Sequence, residues 1–136
     1  MPELFSQEWF QRFQQLWNQE VKLYKALAAV GFSSHIGYGF RAEEDPRGVL
    51  QVEQGEAIHA GAYGGESLNW DLRAAPDCWK AWMDNPPGLM DLGMAYSNHE
   101  LEFRVGDYPT MIKNPRLAEP FLKSFVVMGH VGYDDG

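Results

Sequence analysis

The hydrophobic pattern of this chain changes its period near Gly31, and that change limits the folds open to it. Before Gly31, large apolar residues recur at spacings of three and four, as in an α-helix with one buried face. After Gly31, apolar and polar residues alternate, as in β-strands with one buried face. Helical patterns then return in the second half of the chain. This order predicts an α+β fold.

Residues 1–30 are predicted to form one helix. Ser6 is a suitable N-cap, and Glu8 lies in the first turn, where a negative charge is stabilised. Gly31 is a natural end for the helix. We expect its apolar stripe to pack against a sheet. The stripe comprises Trp9, Phe13, Leu16, Trp17, Glu20, Tyr24 and Leu27, of which only Glu20 is polar.

Five strands are predicted, in a mainly antiparallel sheet. The turn sequences at residues 45–48 and 54–55 join the first three strands as hairpins. In the fourth strand, Leu68, Trp70 and Leu72 share one face, which makes that face of the sheet apolar. The predicted strands span residues 35–43, 49–53, 57–63, 67–73 and 101–105.

Helices are predicted to cover one face of this sheet. The terminal helix begins near Pro115 or Pro120, because proline is tolerated in the first turn of a helix. Residues 129–136 are predicted to form a frayed tail, and residues 1–136 a single domain. The shorter predicted helices span residues 76–84, 89–96 and 108–113.

Composition and charge argue against several classes of partner. Eleven Lys and Arg against nineteen Asp and Glu give a formal net charge of −8, which repels phosphate backbones and anionic lipid surfaces. Nucleic acid is therefore not an expected partner. The single cysteine, Cys78, and the lack of a signal segment before Ser6 favour a cytoplasmic location. No apolar run approaches the roughly 20 residues of a membrane span, so stable insertion is not expected.

The residues that most often carry catalysis are too scattered to form a recognisable site. Cys78 lies near a predicted helix start, where a thiolate is favoured, but the adjacent Asp77 opposes that effect. We therefore predict no catalytic residue, no metal and no cofactor. The four histidines, none of them paired at metal-ligand spacing, are His35, His59, His99 and His130.

The surplus of large, adaptable apolar side chains points instead to ligand binding. Five Trp, eight Phe, six Tyr and six Met exceed what one thin core usually needs. Methionine suits surfaces that repack around variable ligands, and an apolar cavity is the usual ligand site in such a domain. Plain core packing is the alternative for each residue. The predicted ligand-binding residues are Phe40, Leu68, Trp70, Trp79, Trp82, Met83, Met90, Met94, Phe121 and Phe125.

Two segments resemble the sterol carrier protein-2 family. Residues 70–83, WDLRAAPDCWKAWM, resemble the strand of that family that leads into its first ligand-side helix. Residues 95–107, AYSNHELEFRVGD, resemble its pattern of helix end, strand and Gly-Asp. The terminal helix around residues 121–127 is in register with this pattern. The resemblance implies a bacterial-type, single-domain lipid-binding protein that carries a fatty acyl chain, an acyl thioester or a sterol-like lipid without catalysis.

Two other functions stay open at this point. The chain could be an accessory or oligomerisation domain, either as a homodimer or beside a separately encoded enzyme. It could also be an enzyme of the ketosteroid isomerase kind, with Asp71, Tyr63 and Tyr96 in an apolar pocket. Those enzymes end in long strands, whereas this chain is predicted to end in a helix.

Overall fold

A computed structural model describes residues 2–134, and within them six helices and five strands form an α+β structure around one sheet. The predicted fold class is confirmed. The helices are α1 (Gln7–Trp17), α2 (Val21–Ala29), α3 (Pro76–Asp84), α4 (Leu89–Ser97), α5 (Tyr108–Lys113) and α6 (Pro115–Val131). The strands are β1 (Ser34–Phe40), β2 (Gly48–Glu53), β3 (Glu56–Ala62), β4 (Trp70–Ala74) and β5 (Glu102–Val105).

The sheet has the order β3-β2-β1-β4-β5, and its pairs are antiparallel except for the central one. Strands β1 and β4 run parallel, with Ile36 paired to Trp70 and Tyr38 paired to Leu72. Because side chains alternate along a strand, these four residues project from the same face. We call it the inner face, since it packs against the helices.

The N-terminal helix of the prediction is in fact two helices. Ser6 caps α1 as predicted, accepting the backbone N–H of Trp9. The chain then breaks at Asn18, whose side chain makes two hydrogen bonds of 2.8 Å to the backbone N–H and C=O of Ala57 in β3. Glu20 accepts the backbone N–H of Lys22 and so caps α2. Pairing with an edge strand thus ends a helix that apolar periodicity alone would continue.

Aromatic side chains of α1 fill the space over the inner face. The rings of Phe10 and Phe13 lie 6.2 and 5.6 Å from the ring of Tyr38, centroid to centroid. Gly48, opposite Tyr38, leaves room for them, because a Cβ there would lie only 2.2 Å from Phe10 Cε2. The close approach of helix and sheet therefore requires glycine at this position.

The opposite, outer face of the sheet is also covered, by the loop of residues 41–47. Arg73 is 1% exposed; its guanidinium binds Asp71 through two hydrogen bonds, of 2.7 and 3.0 Å, and donates to the carbonyls of Phe40, Glu43 and Glu44. The buried Asp71–Arg73 ion pair thus ties the loop to the sheet.

Leu68 was predicted to share a face with Trp70, and this is wrong. The strand β4 begins only at Trp70. Leu68 packs on the outer face, where its Cδ1 would lie 2.9 Å from a Cβ placed on Gly37. The strict alternation of a strand does not extend to a residue that precedes its first ladder bond.

The last helix begins at Pro115, the first of the two predicted starts, and continues through Pro120. Residues 129–131, predicted to fray, complete α6, and Val131 is buried. Beyond the helix, the backbone N–H of Asp134 donates to the carbonyl of Pro2. Residues 135 and 136 of the predicted tail lie outside the described residues. Within residues 2–134, even α6, with 17 residues, is not long and apolar enough to cross a bilayer.

Replacing Arg73 by Ala is expected to destabilise the protein by about 3–5 kcal/mol, because it leaves the buried carboxylate of Asp71 without a counter-charge. Urea unfolding measures this loss. Arg47→Ala is the control: its ion pair with Glu43 is exposed, and such pairs contribute about 0–1 kcal/mol. Equal effects of the two substitutions would contradict a stabilising role for the buried pair.

Candidate functional site

An apolar cavity lies between the inner face of the sheet and the helices α1, α2, α5 and α6. Its floor is formed by the parallel pair of strands, through Ile36 and Tyr38 of β1 and Trp70 and Leu72 of β4. The walls come from helices and from the segment that enters β1. The wall residues are Trp17, Leu27, Phe32, Met111, Leu117, Pro120, Phe121 and Ser124.

The long wall of the cavity is one stripe of α6. Leu117, Pro120, Phe121 and Ser124 follow one another at spacings of three, one and three, so they share one face of the helix. Pro120 lacks an N–H and therefore leaves the carbonyl one turn earlier without its helical partner. The wall thus contains a point at which α6 deforms more easily than a regular helix.

The cavity has a volume of about 40 Å³. By the same measure one enclosed water molecule needs about 10–15 Å³, so the space admits about three groups of that size. A methylene group is similar in size to water, and a chain of ten carbons does not fit without movement of the walls. The site as it stands is therefore a small apolar opening in the core that must expand to hold a lipid.

Besides the indole N–H groups of Trp17 and Trp70, the residues that line this cavity carry two hydroxyl groups. The hydroxyl of Ser124 donates to the carbonyl of Phe121 within α6, at 2.5 Å, and is thereby satisfied. Tyr38 is buried, and its burial raises the pKa of the phenol far above its ordinary value. The cavity therefore disfavours negative charge.

Of the ten predicted ligand-binding residues, the structure places Trp70 in the cavity floor and Phe121 in its wall. Trp79, Met83 and Phe125 are buried in the core, and the indole N–H of Trp79 donates to the carbonyl of Gly39 at 2.9 Å. Trp82 packs edge-on against both Trp79 and Phe125. These predicted ligand-binding residues of α3 and α6 therefore belong to the hydrophobic core. A ligand role for them stays a prediction.

The remaining predicted residues lie outside the cavity lining. Met90 and Met94 on α4 are 81% and 59% exposed. Phe40 stacks on Phe5, and Leu68 lies on the outer face of the sheet. None of these is among the lining residues, so a role for them in binding also stays a prediction.

Several residues of the cavity lining were missed by sequence reasoning. Ile36, Tyr38 and Leu72 could have been found, because each alternates with polar or glycine residues in a predicted strand. Leu117 lies four residues before Phe121 in the predicted terminal helix and could have been found in the same way. Met111 carries no such signal, since α5 has only six residues and shows no helical period of its own. Its place depends on how α5 folds back over the sheet.

Cys78, the candidate nucleophile of the sequence, lies at the start of α3 and is half-buried. Its burial, and then the nearby charge of Glu100, raise the pKa of the thiol above its ordinary value. Within residues 2–134, no three His, Cys, Asp or Glu side chains lie close enough together to hold a metal ion.

The three residues named for an isomerase mechanism do not come together at the cavity. Asp71 is paired with Arg73 on the outer face, and Tyr96 stacks on Tyr108 with ring centroids 4.2 Å apart. Tyr63 follows β3 at the edge of the sheet. None of the three lines the apolar cavity.

Comparison with known proteins identified solved structures similar to this one. No family model and no curated protein matches the sequence. A crystal structure of sterol carrier protein 2 matches 96% of this chain and 100% of its own, with a TM-score of 0.72 and 19% identity. This chain has the sterol carrier protein 2 fold.

Two further solved structures share that fold. A conserved hypothetical protein of Thermus thermophilus, described as a candidate sterol carrier protein, matches all of this chain and 94% of its own, with a TM-score of 0.70 and 20% identity. A ubiquinone synthesis protein, UbiJ-SCP2, covers 91% of this chain and 88% of its own, with a TM-score of 0.53 and 10% identity. The predicted resemblance to the sterol carrier protein 2 fold is confirmed.

Alkylation of Cys78 should be slower in the folded protein than in the unfolded one at any pH between neutral and the ordinary thiol pKa. The raised pKa leaves less of the reactive thiolate, and the rate should rise with pH along a curve shifted to higher pH. Iodoacetamide labelling followed by mass spectrometry, with the urea-unfolded protein as control, measures both curves. A folded-state curve shifted to lower pH would make Cys78 a candidate nucleophile again.

Proposed function

We propose that this protein binds and carries a hydrophobic ligand, such as a fatty acyl chain, an acyl thioester or a sterol-like lipid, in the cavity over β1 and β4. The observation that carries the proposal is the chemistry of the lining. Ten of its twelve residues have no hydroxyl, amide or charged group on the side chain, and none is ionised at neutral pH. Such a lining stabilises apolar groups, and it includes no His, Asp, Glu, Lys or Cys that could activate its two hydroxyls.

Expansion of the cavity is part of the proposal, because the unliganded volume is too small for a lipid. The helix α5 is the element best suited to move. It is only six residues long and follows Gly106, whose φ of 101° is a left-handed conformation suited to a hinge. It contributes Met111, a flexible side chain that adapts to different shapes. Displacing α5 and the first turns of α6 would extend the cavity along the floor.

The energetics of such binding are favourable at modest ligand size. Each buried methylene contributes about 0.8 kcal/mol, so roughly ten of them offset the entropy lost on association and give binding in the micromolar range. The fold supports the same reading, since one of the solved structures that share it is named as a sterol carrier. The role proposed for this chain is accordingly carriage without chemistry.

Titration with fatty acids and acyl thioesters of eight to eighteen carbons tests the proposal. Trp17 and Trp70 line the cavity, so an occupant should change the intrinsic tryptophan fluorescence. We expect micromolar affinity that rises with chain length. Hydrogen exchange of α5 should slow when ligand is bound, because the bound lipid orders the moved helix.

A matched pair of variants on α6 locates the site. Leu117 and Leu122 are both half-buried, but only Leu117 lines the cavity. Leu117→Trp should fill the cavity and weaken binding at least tenfold, whereas Leu122→Trp should leave the affinity unchanged. Urea unfolding identifies any variant that no longer unfolds cooperatively. If the wild-type protein gives no fluorescence or exchange response to any lipid in the series, the proposal is wrong.

A further inference from the structure

Tyr38 lines the apolar cavity, and its hydroxyl makes no hydrogen bond to any residue between 2 and 134. The residue as a whole is only 3% exposed. Among the described residues, no fully enclosed side-chain nitrogen or oxygen lacks a partner, so the Tyr38 hydroxyl keeps a small accessible surface. A hydroxyl that is accessible and unpaired can make a hydrogen bond to a ligand.

The buried tryptophans of the core differ from Tyr38 in this respect. Three buried tryptophans of the same core each donate their indole N–H to a backbone carbonyl. Trp9 donates to Gly132 at 2.8 Å, and Trp17 donates to Gly55 at 3.0 Å. Trp79 makes the equivalent bond to Gly39 at 2.9 Å. These three indoles are satisfied within the protein, whereas the hydroxyl of Tyr38 is not.

Packing of the ring does not explain why residue 38 carries a hydroxyl. The ring of Tyr38 lies among those of Phe5, Phe10, Phe13 and Trp79, at centroid distances of 5.6 to 6.3 Å. A phenylalanine would make the same ring contacts without burying a hydroxyl. What distinguishes Tyr38 from its neighbouring phenylalanines is its place in the cavity lining.

Resting on the function proposed above, we infer that the Tyr38 hydroxyl binds an uncharged oxygen of the ligand. The cavity then selects lipids that bring a hydroxyl or a carbonyl group into the core, such as a long-chain alcohol, an ester or a sterol-like molecule. An alcohol oxygen or a carbonyl oxygen accepts the phenolic proton, and the apolar remainder of the ligand contacts the lining residues. The ligand class is thus defined by one neutral oxygen on an otherwise apolar body.

Charge determines which oxygen the site accepts. No Lys, Arg or His lines the cavity among the described residues, and a carboxylate buried without a counter-charge is strongly disfavoured. The raised pKa of Tyr38 reports the same low polarity. A fatty acid ion therefore binds with its carboxylate outward in water and its methyl end inward, where it makes no bond to Tyr38.

Three ligands of one chain length separate these cases: 1-decanol, 1-chlorodecane and ionised decanoate. Each is titrated into the wild-type protein and Tyr38→Phe, with tryptophan fluorescence and calorimetry as readouts. Tyr38→Phe should weaken 1-decanol about 3- to 10-fold, the worth of one neutral hydrogen bond, and leave the other two ligands unchanged. Tyr96→Phe is the control, because Tyr96 is half-buried and lies outside the cavity lining.

The unliganded protein supplies a second measurement. Tyr38→Phe removes an oxygen that has no protein partner, so its melting temperature should equal or exceed that of the wild type. A clear drop in melting temperature, or a variant that does not fold, would show that the hydroxyl serves the fold and would overturn the inference.

The outcomes separate this inference from the function on which it rests. Equal affinity of 1-decanol for the wild type and Tyr38→Phe overturns the role of the hydroxyl and leaves lipid carriage standing. Failure of the wild type to bind any of the three ligands contradicts lipid carriage itself. A decanol-specific loss in Tyr38→Phe, with an unchanged Tyr96→Phe, supports both.

Discussion

The parallel pairing of β1 with β4 is the contact on which the cavity depends. It places Ile36 beside Trp70 and Tyr38 beside Leu72, so that four large side chains from distant parts of the chain form one floor. Two parallel strands cannot be joined by a tight turn, and the chain between them must leave the pair and return. Here the intervening chain forms β2 and β3 at one side of the sheet.

The pairing of β1 with β4 also influences where the last part of the chain lies. With β2 beside β1, the place next to β4 is left for β5, which pairs there in the antiparallel sense. The chain leaves β5 at the edge of the sheet, and α5 and α6 return over the inner face. The α5 and α6 walls of the cavity therefore come from the last part of the described chain. They lie over the floor formed by β1 and β4.

Polar groups on the two faces of the sheet differ in whether they have hydrogen-bond partners. On the outer face, Asp71 and Arg73 satisfy one another, and the remaining guanidinium protons bind carbonyls of the covering loop. On the inner face, Tyr38 has no such partner. The Asp71–Arg73 pair holds the loop of residues 41–47 against the sheet. The unpaired Tyr38 hydroxyl is proposed to make its hydrogen bond to a ligand. Polar groups that are completed within the protein stabilise it, whereas those left incomplete can be used for binding.

Much of the fold was predictable from residue pattern. The change of period at Gly31, the Ser6 cap, the hairpin turns and the helices after β4 all follow from local chemistry, and the structure has each of them. The break between α1 and α2 was not predictable, because Asn18 ends the helix by binding Ala57, which is distant in sequence. Leu68 was misplaced for a similar reason, since the pairing with β1 decides where β4 begins.

By itself, the sequence determined the types and order of the elements and the abundance of large apolar side chains, because both depend on local spacing and composition. Only the tertiary structure decided which of those side chains face empty space. Trp79 and Trp70 are equally apolar and both belong to predicted elements, yet one is enclosed by protein and the other lines the cavity. Hydrophobic periodicity indicates which side chains are buried. Whether the space beside a buried side chain is filled depends on elements that are distant in sequence.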